Sequence, residues 1–159
     1  MEDAVAIAAI ITLILHAIST IVQALEHYRE RKSQEILIIQ NFQNRFDQIH
    51  QDGKEFQEIL IDSDFDLLML QKKDEECYNR LLHWCKRLFW LDFDEWYAGH
   101  IVKCVSRLQR SEWDEIIREK MQEPVFRQAW EVLRKDNFRG KKKFNKFLDR
   151  YWLEGKLNG

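Results

Sequence analysis

The chain has 159 residues and a formal net charge of −2, which is the length of one ordinary domain and too little positive charge for wholesale nucleic-acid binding. One Pro and five Gly leave few turn punctuators, so long helices and an all-α fold are expected. The three cysteines, Cys77, Cys85 and Cys104, are an odd number without a CxxC pair; they exclude a secreted disulfide framework and point to a reducing compartment.

Between Ala4 and Leu25 there is no Asp, Glu, Lys or Arg. As a helix this run is about 33 Å long, the thickness of a bilayer core, so residues 1–25 are expected to form a transmembrane anchor. A cleaved signal peptide would need a basic leader and a shorter apolar core; here Met1, Glu2 and Asp3 precede the run and charged residues follow it directly. Arg29, Arg31 and Lys32 flank its C-terminal side and no basic residue precedes it. The positive-inside rule then predicts a single-pass protein with its N-terminus outside and its C-terminal domain in the cytoplasm.

Helical spacing puts Thr12, His16, Ser19, Thr20 and Gln23 on one stripe of the span, opposite Ile7, Ile10, Ile14, Ile18, Ile21 and Leu25. Hydroxyl and small side chains favour close helix approach and interhelical hydrogen bonds. A mid-span His is costly against lipid and tends to face protein, water or a ligand. The stripe is therefore expected to bind another helix, of a protein partner or of a second copy. The competing reading has Ser and Thr bonding back to their own helix carbonyls.

No Gly or Pro interrupts residues 26–52, which are expected to continue the span as a juxtamembrane stalk. Ile36, Ile39, Phe42, Phe46 and Ile49 form a short seam, suited either to a coiled coil or to packing on the chain's own domain. Gly53 is predicted to terminate this helix. Residues 53–159 are expected to fold as a small cytoplasmic helical bundle. A short helix over 55–61 leads to a turn at Asp62-Ser63-Asp64. A segment from Phe65 to Leu91 follows, with a break near Lys72 to Asp74.

Asp92 or Asp94 is predicted to start the next helix, burying Trp96, Tyr97, Ile101, Val105 and Leu108. Ser111 with Asp114 resembles a capping box ahead of Trp113, Ile116, Ile117 and Met121. Pro124 suits the first position of a helix carrying Phe126, Ala129, Trp130 and Leu133. After Gly140 a last helix presents Phe144, Phe147, Leu148, Tyr151 and Trp152.

Charge is unevenly spread. From Lys54 to Glu76 there are eight acidic residues against three basic, a net −5; from Arg134 to Arg150 there are eight basic against two acidic, a net +6. Arg139, Lys141, Lys142, Lys143, Lys146 and Arg150 thus form a candidate anionic-surface contact. Membrane lipid headgroups are the expected target, at about 1 kcal/mol per well-placed cation. The acidic segment of a neighbouring copy is another. RNA is disfavoured because no recognition motif accompanies the charge.

No catalytic, metal or cofactor constellation emerges. His83, Cys85, His100 and Cys104 lack the spacings of a zinc site, and the paired carboxylates Asp62, Asp64, Asp66, Asp92 and Asp94 all fall where helix N-termini are expected. No phosphate loop, GxSxG or kinase pattern is present. The sequence therefore reads as a non-enzymatic, membrane-anchored interaction protein, an accessory subunit or adaptor of a membrane assembly. The alternative is a membrane-associated effector or enzyme acting on lipid or nucleic acid through the basic C-terminal segment.

Overall fold

The computed structural model describes residues 2–157, with side chains described over 12–153. The described residues are all-helical, without strands. The chain divides into two compact units, Met1–Ile39 and Gln40–Gly159.

Helix α1, Glu2–Asp52, is continuous because nothing in it breaks the backbone ladder before Gly53. Within the first unit its described apolar side chains stand open: Leu13, Ile14, Leu15, Ile18, Ile21, Val22 and Leu25 are 47% to 74% exposed. Thr20 Oγ1 donates to the His16 carbonyl at 2.9 Å. Among the described residues no helix is long and apolar enough to cross a membrane. Residues 4–11, the first part of the expected span, lie outside the described side chains.

In the second unit the end of α1 packs on its own bundle. Phe42 meets Trp113 edge-on with ring centroids 5.3 Å apart, and Ile49 is buried with its carbonyl accepting from Trp84 Nε1 at 2.8 Å. Gly53 ends α1, but with φ −87° and ψ 0° it does not adopt the left-handed conformation typical of a glycine terminator. Its requirement is space: a Cβ there would lie 2.3 Å from Trp84 Cε2 and Nε1. A 3₁₀ turn, Lys54–Phe56, and a single turn of helix, α2 (Gln57–Leu60), follow.

Helix α3 is Leu67–Lys73 and α4 is Glu75–Trp96. Asp66 caps α3 by accepting from Leu68 N at 2.8 Å and Met69 N at 3.1 Å; Asp74 caps α4 by accepting from Cys77 N at 2.9 Å. The break anticipated near Lys72 to Asp74 is this Asp74. Helix α4 is the hub, packing against α3, α5 (Arg107–Lys120) and α6 (Pro124–Asp136). Helix α7 is Lys142–Leu157. Pro124 opens α6 as anticipated.

Aromatic rings supply much of the core volume. Phe89 and Trp130 are 5.2 Å apart, Trp130 and Phe138 5.3 Å, and Phe138 and Phe144 6.1 Å, all four fully buried. Phe144 and Leu148 turn the apolar face of α7 inward.

Two expected helix starts are corrected. No helix begins at Asp92 or Asp94, because α4 runs through both without a breaker and Asp92 finds its partner across the core. Ser111 is no cap: it sits inside α5, whose N-cap is Ser106, accepting from Gln109 N at 3.2 Å. Between them lies a π-helical turn, Tyr97–Val102, closed by Lys103 in the left-handed region at φ 57°. This turn rotates Tyr97 and Ile101 outward, and Leu108 is exposed as well, where burial was expected.

Candidate functional site

At the π turn an apolar surface and the basic segment meet. The last turns of α4 and the π turn place Phe93, Trp96, Tyr97 and Ile101 on one wall of an open groove of about 350 Å³. The connection into α7, Gly140 to Phe144, forms the other wall. π-turns inside helices recur at functional sites because the extra residue re-aims side chains. Here it leaves Ala98 and Gly99 buried and turns Tyr97 and Ile101 to the groove. His100 holds the turn against α5, with Nε2 2.9 and 3.0 Å from the two carboxylate oxygens of Asp114 and its ring stacked on Trp96 at 5.7 Å.

The basic residues divide by role. Lys141 is half-buried, its Nζ 4.4 Å above the Phe93 ring and 5.6 Å above Trp90, so it is committed to cation–π contacts inside the domain. Arg139, Lys142, Lys143, Lys146 and Arg150 are exposed. Positions 142, 146 and 150 repeat every four residues, which puts them on one face of α7, with Lys143 beside them. Arg134 is drawn away by Asp149 at 2.7 Å. Lys142 and Lys143 rim the groove.

The acidic segment carries a second surface. Ile61 is 85% exposed at the end of α2, and Leu68 and Met69 are exposed on α3. The turn between is shaped by Asp62, whose carboxylate accepts from Asp64 N at 2.9 Å. Gln128 of α6 grips it from both sides, donating to the Phe65 carbonyl at 2.6 Å and accepting from Leu67 N at 2.7 Å. Residues 63–68 and α6 together line an open cavity of about 630 Å³ beside this clamp.

The intramembrane candidates Thr12, His16, Ser19, Thr20 and Gln23 are all exposed along α1. The Thr20 hydroxyl bonds back to its own helix, the local alternative to a helix–helix contact.

The candidate metal residues disperse. His100 is bound to Asp114, the Cys104 thiol donates to the Ala98 carbonyl at 3.5 Å, His83 is exposed and Cys85 is buried. Among the described residues no three His, Cys, Asp or Glu side chains are placed to hold a metal ion.

Sequence reasoning missed a buried polar network at the α4–α5 interface. Asp92 accepts from Lys120 Nζ at 2.6 Å, and Glu95 is buried on the same face of α4. Burial pushes both carboxyls above their ordinary values, Glu95 to about 8 with help from the Asp92 charge; Lys120 opposes both shifts. Burial likewise raises the Cys85 thiol, which makes it unreactive. With Asp92 only 2% exposed, the network is closed to solutes. The available signal was periodicity: Leu81, Cys85, Leu88, Asp92 and Glu95 continue one 4-3-4-3 spacing and so share the core face.

No family model, curated protein or solved structure matches this chain.

Proposed function

We propose that this protein is a single-pass, membrane-anchored interaction protein, an accessory subunit or adaptor whose cytoplasmic helical domain docks a partner. The observation that carries the reading is the row of exposed apolar side chains on α1 from Leu13 to Leu25, continuing an uncharged run that begins at Ala4. Such a continuous apolar strip is unfavourable in water and is satisfied by lipid or by another helix. The flanking Arg29, Arg31 and Lys32 favour a cytoplasmic domain. The stripe of Thr12, His16, Ser19, Thr20 and Gln23 suits contact with a second helix. Alkaline carbonate washing of membranes from expressing cells tests the anchor: the full chain should stay in the pellet, and release into the supernatant would overturn it. Photocrosslinking from position 16 or 19 in those membranes should then yield a discrete adduct.

A second reading rests on the exposed basic face of α7, which suits anionic headgroups. Because Phe144 and Leu148 face the core, this contact would be made chiefly by charge and should weaken steeply with salt. With the full chain reconstituted into phosphatidylserine vesicles, replacing Lys142, Lys143 and Lys146 with Glu should remove the protection from proteolysis that α7 gains at low ionic strength; undiminished protection would sink it.

A further inference from the structure

We infer that the groove between the π turn and α7 receives the acidic α2–α3 turn of a second copy of this chain, with Ile61 as the inserted side chain. The two surfaces are complementary in both polarity and charge. The groove offers Trp96, Tyr97 and Ile101 beneath the exposed ammonium groups of Lys142 and Lys143. The turn offers an aliphatic side chain that is 85% exposed in the single chain, flanked by Glu58, Asp62 and Asp64. Among the described residues Lys142 and Lys143 have no acidic partner, and Glu58, Asp62 and Asp64 have no cationic one. Charge left unpaired on both surfaces steers their encounter and fixes the register.

Both surfaces are also held in shape before they meet. Gln128 clamps the turn from α6, and His100 with Asp114 holds the π turn. A preformed contact of this kind loses little conformational entropy on association. The two patches are different surfaces of one chain, so each copy carries one of each. Two copies can engage reciprocally, or a head-to-tail series can run on.

The test uses the full chain in mild detergent, by sedimentation velocity across a concentration series. Ile61→Glu breaks the turn and keeps the groove; Lys142→Glu with Lys143→Glu breaks the groove and keeps the turn. Each variant alone should lose this contact, with the dissociation constant of self-association rising about tenfold or more. An equimolar mixture retains one intact turn and one intact groove, and should form a one-to-one pair. Glu58→Lys with Asp64→Lys, which leaves the Asp62 carboxylate that shapes the turn in place, added to the groove variant, should restore self-association by reversing both charges. Circular dichroism matching the wild type verifies that each variant is folded, and Ile61→Ser replaces Ile61→Glu if it is not. Variants that associate as tightly as the wild type, or a mixture no more associated than its components, would overturn the inference.

Discussion

Lys120 Nζ lies 2.6 Å from Asp92 Oδ1 at the α4–α5 interface, where the Asp92 side chain is 2% exposed and that of Lys120 10%. Two charges removed from water this far are strongly coupled, and neither tolerates the loss of the other. Glu95 lies on the same helix face and feels both. Among the described residues the two buried carboxyls, Asp92 and Glu95, thus lie on the hub helix at its interface with the helix that follows.

Lys120→Met leaves the Asp92 carboxylate buried without its cation and should lower unfolding free energy by about 3–5 kcal/mol at pH 7. Replacing both partners, Lys120→Met with Asp92→Leu, should recover most of that loss, since neither charge then remains to be desolvated. Urea denaturation of the two variants checks this, and a double variant as unstable as the single would contradict the coupling.

Glu95 sets a pH trend. Its carboxyl moves from an ordinary 4.5 to about 8 through burial, so between those values the folded chain keeps a proton that the unfolded chain has released. Its contribution to stability is complete below pH 4.5 and declines with rising pH, by about 1.4 kcal/mol per unit, until the group ionises in the fold near pH 8. Glu95→Gln should flatten the pH dependence of the denaturation midpoint across that window and stabilise the chain at pH 9. An unchanged slope would show that Glu95 is not the group responsible.

Gly53→Ala should destabilise the fold by about 1–3 kcal/mol, because its Cβ would lie 2.3 Å from the Trp84 ring. Trp84→Phe removes the clashing indole atoms but also the hydrogen bond to the Ile49 carbonyl. In a Trp84→Phe background the added cost of Gly53→Ala should therefore shrink toward zero. Additive losses in this cycle would show that the glycine serves some other purpose.

Helix α7 predicts a sharp contrast between its faces. Phe144→Ala should cost about 3–5 kcal/mol, since the ring is fully buried among Trp96, Trp130 and Phe138. Lys142→Ala and Lys146→Ala should stay within about 0.5 kcal/mol of the wild type. Thermal melts distinguish the two classes directly.

Much of the architecture is legible in local chemistry. An uninterrupted stretch without Gly or Pro dictates α1, the Asp74 break and Pro124 mark two helix boundaries, and 3.6-residue periodicity places Trp130, Leu133, Phe144 and Leu148 inside. These signals act within a few residues of themselves, so they survive without knowledge of the fold. The boundaries that failed are those where local signals are ambiguous. Asp92 and Asp94 read as caps because Asp favours helix starts, yet a carboxylate four residues beyond Leu88 can equally be a core residue when a distant cation meets it. Ser106 outcompetes Ser111 because Lys103, a residue with no special tolerance for positive φ, takes the left-handed conformation just before it.

The amino-acid sequence by itself determined an all-helical chain, an apolar N-terminal run, and the separation of acidic from basic segments, since each depends only on composition and spacing. The tertiary structure alone decided which charges meet and which stay unpaired. Lys141 turns inward over Phe93 while Lys142 and Lys143 stay outside; Asp92 finds Lys120 twenty-eight residues away. The groove exists only because a π turn at Tyr97–Val102 and the start of α7 pack side by side. Contacts between residues far apart in the chain depend on how the helices pack, and no local pattern encodes that packing.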